Sequence, residues 1–227
     1  MFTSANLGEG SSLVVSELAI AEAISPNKKK PVLFIDLNSF HSNGSADLLD
    51  RELSKDTKGI TDLLQGIGKL EDCLHSTKIP NLYVMPYGTP ESDFDPVSYL
   101  APLRTLIKEK LSQFRILIDI CNLSARNRAN FDPVEVAQIA DKVILVVLTN
   151  VTPKQTISHS KVEIESYGGT VSGIIMNDYQ TVSFMKDFKK ILQTTKGTIA
   201  DFFKNRALPF LKNKLSRRKM VNEPSAD

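Results

Sequence analysis

Thr3-Ser4-Ala5-Asn6-Leu7-Gly8-Glu9-Gly10-Ser11-Ser12-Leu13 reads as the end of a strand, a glycine-rich turn and the start of a helix. Glycine lets the backbone curl so that successive N–H groups gather on one side, and the following helix adds the positive end of its dipole. Together these cradle phosphate. Turns specialised for that task end in a lysine that reaches the terminal phosphates, followed by a Ser or Thr for Mg²⁺. Here those two places hold Ser11 and Ser12. Taken alone, the segment fits an ordinary strand-to-helix connection equally well, so its meaning depends on the rest of the chain.

Short apolar runs without strict alternation mark strands covered on both faces. They are Val32 to Asp36, Leu82 to Met85, Ile116 to Ile120, Val143 to Leu148 and a weaker one at Val171 to Met176. Helices are expected over Ser12 to Ile24, Pro96 to Gln113, Pro133 to Ala140 and Pro153 to Tyr167. The last three place a proline in the first turn, after Asp95, Asp132 and Thr152 as N-caps. Met1 to Ser4 leaves room only for a first strand that is clipped or unusually short. Alternating strands and helices give an α/β fold, a mostly parallel sheet with helices on both faces.

A length of 227 residues, 41% of them hydrophobic and 24% charged, suits one such domain. We place it at residues 1–193, followed by a basic, apolar helical segment at 194–219 and a disordered tail at 220–227. A net charge of +2 argues against a nucleic-acid partner. Cys73 and Cys121 stand far apart, and His41, His75 and His159 lack ligand spacing, so neither a disulfide framework nor a zinc site is expected. No apolar run approaches the ~20 residues of a membrane span and no signal segment is evident, which points to a cytoplasmic location. Lys28, Lys29 and Lys30 read as solvated turn residues.

Two acids share the glycine-rich turn's setting. Ile35-Asp36-Leu37-Asn38 and Leu117-Ile118-Asp119-Ile120 each put an aspartate at the C-terminal end of a strand, the edge where open α/β sheets bind ligands. Either alone serves as well as a helix cap or loop residue; both, in order after the turn, favour function. In that order and spacing the chain resembles the bacterial tyrosine kinases that regulate capsule and exopolysaccharide export, within the P-loop superfamily of Min-type and Par-type ATPases. The resemblance covers about residues 3 to 193. Gly8-Glu9-Gly10-Ser11-Ser12 is similar to that family's Pro-Gly-Glu-Gly-Lys-Ser/Thr loop, and Leu33-Phe34-Ile35-Asp36 to its kinase-specific acidic motif. Gly59 to Leu64, Ile79 to Gly88, Leu117 to Asp119 and Gly173 to Asn177 match as well.

The resemblance implies a P-loop NTPase-like fold and ATP or ADP with Mg²⁺ as the cofactor to test. It puts Gly8, Glu9, Gly10, Ser11 and Ser12 around phosphate, Asp36, Asn38 and Asp119 beside them, and Asn177 near the base. Ser12, Asp36 and Asp119 would be the metal ligands if Mg-nucleotide binds. The departures weigh as much. Ser11 replaces lysine, Asn38 replaces the second acid of an Asp-x-Asp motif, and Asp119-Ile120-Cys121-Asn122 stands where Asp-Thr-Pro-Pro is expected. No tyrosine follows Tyr179, whereas the family's kinases carry a tyrosine-rich tail as their own substrate.

The expected function is therefore a catalytically degenerate regulator or scaffold of exopolysaccharide synthesis and export. Its implied partner is a membrane-bound chain-length or export protein, with homo-oligomers left open. The alternatives are a weak ATPase or tyrosine kinase and a Min-like or Par-like positioning ATPase. Residues 199–219 mix apolar side chains with cations; they suit either packing on the domain or peripheral contact with the inner membrane.

Overall fold

Val32-Leu33-Phe34-Ile35-Asp36 forms β2, and every one of its residues is buried. Alternate side chains of a strand point to opposite faces, so a strand covered on both sides must be apolar throughout. Leu33 and Ile35 join one core cluster while Val32 and Phe34 join the other. β6 (Val143–Leu148) divides in the same way. The computed structural model describes residues 1–26, 29–38, 48, 57–127 and 130–178.

The described residues form a seven-stranded sheet. In chain order the other strands are β1 (Phe2–Ser4), β3 (His75–Ser76), β4 (Leu82–Met85), β5 (Arg115–Asp119) and β7 (Val171–Asn177). The spatial order is β3-β4-β2-β5-β1-β6-β7, parallel except for the β3 edge. β1 is only three residues long, yet it lies between β5 and β6 at the centre. From there the chain crosses over β5 to β2 and later returns on the other side, which makes the C-terminal edge around β1 a topological switch point.

The helices are α1 (Ser11–Ile24), α2 (Ile60–Leu64), α3 (Leu70–Cys73), α4 (Leu100–Glu109), α5 (Pro133–Val136) and α6 (Lys154–Ser166). Val15, Ala19 and Ala23 of α1 pack with Phe2, Phe34, Val84 and Val146 on one face of the sheet. Leu103 and Leu106 of α4, Val134 and Val136 of α5 and Ile164 of α6 pack on the other. Helices on both faces of a mostly parallel sheet are the architecture expected from sequence.

Several boundaries differ for identifiable reasons. The helix expected over Pro96 to Gln113 is a 3₁₀ turn, Pro96–Tyr99, followed by α4. Pro102 has no N–H for the preceding turn and so falls where the α-helix begins. Helix α5 stops after four residues because the next bonds, Gln138 to Glu135 and Ile139 to Val136, are of the tighter i−3 kind. Asp132 caps α5 as expected, its side chain accepting the Val134 N–H. Asp95 and Thr152 do not cap their helices with side chains; Thr152 is used elsewhere.

Met1–Asn177 forms one compact unit. A second unit, Asp178–Asp227, lies outside the described residues apart from Asp178. The expectations for the helical segment at 194–219, the tail at 220–227, His41 and Lys28 fall outside the described residues too. Among the described residues no helix is long and apolar enough to cross a membrane.

Candidate functional site

β1 ends at Ser4, and the next six residues carry the chain into α1 with positive φ at Gly8 (82°) and Gly10 (88°). That left-handed backbone costs glycine little and bends the turn into an anion-binding nest. Val14 donates the first helical bond, to Gly10 O. The N–H groups of Gly8 through Leu13 donate to no protein acceptor among the described residues. A row of N–H donors without a protein acceptor at the head of a 14-residue helix suits an anion such as phosphate.

The turn holds this shape with its own side chains. Glu9 is buried, and its carboxylate accepts the Asn6 N–H at 2.9 Å, the Asn6 side-chain amide at 3.1 Å and the Thr152 hydroxyl at 2.5 Å. Thr152 in turn accepts the Leu148 N–H, which ties the turn to the end of β6. Asn177, at the end of β7, donates its side-chain amide to Glu9 O at 2.9 Å, while its own carbonyl accepts the Thr149 N–H. Three parallel strands thus brace one turn. The resemblance puts Asn177 near the base; the contact seen is with the backbone of the glycine-rich turn.

Facing α1 are the two aspartates. Asp36 and Asp119 are directly opposite in the β2–β5 register, and both are fully buried. Asp36 accepts the Asn38 N–H at 2.9 Å. Both oxygens of Asp119 lack a hydrogen-bond partner, and they are the only buried side-chain oxygens or nitrogens among the described residues that do. Burial first, and the neighbouring charge of Asp36 second, push the Asp119 carboxyl well above the ordinary carboxylate range. The Ser12 hydroxyl and the Ile120 N–H temper that shift without closing a hydrogen bond to it. Beside the pair, burial chiefly, with help from Cys121 and Asp36, pushes the Tyr87 phenol up to about 12. The Cys121 thiol, raised to about 12 mainly by burial, is not a nucleophile at neutral pH.

An orphaned buried carboxylate beside a second one and a serine hydroxyl is a set of hard oxygen donors, which suits Mg²⁺. The free N–H groups suit the phosphates that such an ion accompanies. Ser12, Asp36, Asp119 and the Gly8–Leu13 backbone therefore fit a Mg-nucleotide. The lysine position does not: Ser11 is buried at the head of α1 and brings no charge. Lys30 donates to Ser112 O and precedes the far end of β2, about 17 Å from the site for five residues at ~3.3 Å each. Lys28 lies outside the described residues. Among the described residues no group of three or more His, Cys, Asp or Glu side chains is placed to hold a metal ion, and His75 binds Lys58 O while His159 is exposed.

Sequence reasoning missed Asn6 and Thr152 as the turn's supports. Thr152 lies 143 positions from Glu9, so no local pattern could announce the contact.

Fold and site together define a P-loop ATPase-type α/β domain. Its solved structural neighbours include bacterial tyrosine kinase domains and Min-type ATPases, the superfamily that its motifs resemble. The VpsO kinase domain is 26% identical, with 78% of this chain and 82% of that one covered at a TM-score of 0.66. The kinase domain of the Escherichia coli tyrosine kinase ETK is 22% identical over 78% and 66% of the two chains, with a TM-score of 0.66. The septum site-determining protein MinD of Pyrococcus horikoshii, solved with Mg-ADP, is 22% identical over 80% and 70%, with a TM-score of 0.62. The last two likenesses speak to fold alone. No protein-family model matches the chain, and no curated protein matches it.

Proposed function

We propose that this chain is a catalytically silent relative of the polysaccharide-export tyrosine kinases, one that regulates or scaffolds a membrane-bound chain-length or export protein. The observation that carries the reading is Ser11, buried at the head of α1 where phosphoryl transfer calls for lysine, in a turn that otherwise keeps its phosphate-binding shape. Phosphoryl transfer depends on cations positioned before the reaction to meet charge developing on the transferred group. A serine hydroxyl has no charge to offer, and Asn38 cannot act as a base.

In this reading the Gly8–Leu13 N–H groups hold the phosphates of ADP or ATP, and Ser12, Asp36 and Asp119 hold Mg²⁺. The metal would supply charge neutralisation for the phosphates. Glu9, Thr152 and Asn177 keep the turn in shape whether or not ligand is present, so the surface offered to a partner does not depend on turnover. The implied partner and the link to exopolysaccharide rest on the family resemblance of the sequence motifs, with the kinase-domain neighbours in support.

The test has two parts. Purified protein incubated with Mg·ATP is assayed for phosphotyrosine and phosphate release, and is then mixed with a purified membrane-bound polysaccharide chain-length protein. The reading expects neither product and a stable complex. Turnover that disappears in Asp36→Ala would overturn the silent half, and failure to form a complex would overturn the scaffold half.

A further inference from the structure

Ser11 and Asp119 together set an electrostatic condition that a lysine-bearing loop does not face. Asp36 and Asp119 bring two buried carboxyl groups to the same sheet edge as the α1 N-terminus, and Asp119 has no partner. Among the described residues the charge that bears on Asp119 is that of Asp36, and no lysine or arginine offsets it. Lys154, exposed at the head of α6, is not among the groups acting on Asp119, and Arg126 is engaged by Asp132 and Glu163. Among the described residues the positive element at this point is the helix end, equivalent to roughly half a charge. An incoming diphosphate would therefore meet like charge with no full cation to balance it.

We infer that a divalent cation takes over the missing lysine's role, so that the site accepts a diphosphate only as its metal complex and has almost no affinity for the metal-free form. This deepens, and rests on, the reading of the Gly8–Leu13 turn as a phosphate site. In a loop with lysine, a fixed charge on the protein supports phosphate even when the metal is removed. Here the charge of Asp36 excludes the bare anion, and Asp36 and Asp119 together admit it with the ion, so cation and phosphate bind as one unit.

The consequence is a pair of variants whose effects run opposite to those of simple damage. Asp119→Asn weakens binding of Mg·ADP, because it removes a donor to the metal, and changes binding of metal-free ADP little, because the unpartnered carboxyl beside Asp36 resists ionisation until the metal arrives. Ser11→Lys restores a fixed cation and lets ADP bind without metal. A merely structural role for either residue would lower both affinities together.

The experiment is calorimetric titration of the full chain, with parallel thermal melts, using MgCl₂ alone, ADP in EDTA, and Mg·ADP. In the natural sequence, ADP in EDTA should bind at least ~100-fold more weakly than Mg·ADP, the scale of one or two close charge interactions in a partly screened site. Ser11→Lys should shrink that ratio to within about tenfold, and Asp119→Asn should shrink it by weakening Mg·ADP alone. If Asp119→Asn does not melt cooperatively, Ser11→Lys decides alone. The inference is overturned if the natural chain binds ADP in EDTA within about tenfold of Mg·ADP. It is overturned as well if neither form binds to protein that melts cooperatively, or if a folded Ser11→Lys leaves the ratio unchanged. A failure of this kind leaves the silent-scaffold reading to its own test of turnover and complex formation, and turnover there leaves the metal ratio to stand or fall here.

Discussion

Two glycine-bearing turns sit at the C-terminal edge of this sheet, and they use hydrogen bonds in opposite ways. In the first, Gly59 N–H donates to Asp62, Ile60 and Thr61 donate to the carbonyls of Pro86 and Tyr87, and Thr89 N–H closes onto the same Asp62 oxygen. The Thr61 hydroxyl also binds Tyr87 O. In the second, among the described residues, the N–H groups of Gly8 through Leu13 find no protein acceptor and Asp119 keeps two bare oxygens. Buried polar groups ordinarily find partners, because leaving one unpaired is costly. The satisfied turn is architecture that locks α2 onto the loop after β4. The unsatisfied one is held open by Glu9, Thr152 and Asn177, and in the function proposed above a ligand takes up its open valences.

The largest expected effect belongs to the locked turn. A Cβ at Gly59 would lie 2.1 Å from Pro86 O and 2.5 Å from Gly88 N, backbone atoms that cannot swing aside. Gly59→Ala should therefore lose about 3 kcal/mol of stability, read from the urea midpoint, a typical severe overpacking cost. Asp62→Ala leaves the Gly59 and Thr89 N–H groups without their acceptor and should cost about 2 kcal/mol in the same assay. A mild effect of both would break the contrast between architecture and site.

At the open turn, stability and binding should separate. Gly10 has φ 88°, and a Cβ there would come 2.4 Å from the Asn177 side-chain amide, the movable end of a side chain. Gly10→Ala should cost only about 1 to 2 kcal/mol in stability while removing the Mg·ADP response in calorimetry. Asp119→Asn should move stability the other way, raising it by about 1 kcal/mol in EDTA, since an amide relieves repulsion and donates to Asp36.

The pH dependence of that last variant follows from the direction of the Asp119 shift. Its carboxyl titrates higher in the folded chain than in the unfolded one, so the folded state retains a proton that the unfolded state has released. Stability in EDTA should then decline as pH rises from the unfolded carboxylate range through the raised folded value. Asp119→Asn should remove that decline. Urea melts across pH check it, and identical profiles for the two proteins would contradict the isolation assigned to Asp119.

The contrast also explains which parts of the fold could be read from sequence. β2, β4 and β6 have the bounds expected, because strands buried on both faces must be continuous apolar runs of strand length. β3 gave no signal, being two residues, His75 and Ser76, of which one is exposed. Asp36 and Asp119 were legible as acids at strand ends, but their facing register depends on β2 and β5 becoming neighbours across more than eighty residues of chain. Thr152 looked like a cap by position and is instead a brace, because its hydroxyl finds the Glu9 carboxylate, a stronger acceptor than a neutral group.

The account depends most directly on whether the open turn holds a ligand. Calorimetric titration of Mg·ADP into the full chain, with Gly10→Ala beside it, measures this without requiring turnover. We expect saturable binding of one Mg·ADP per chain, and its loss in a Gly10→Ala protein that still melts cooperatively. No heat of binding from the natural, cooperatively folded chain, or undiminished binding in Gly10→Ala, would contradict it.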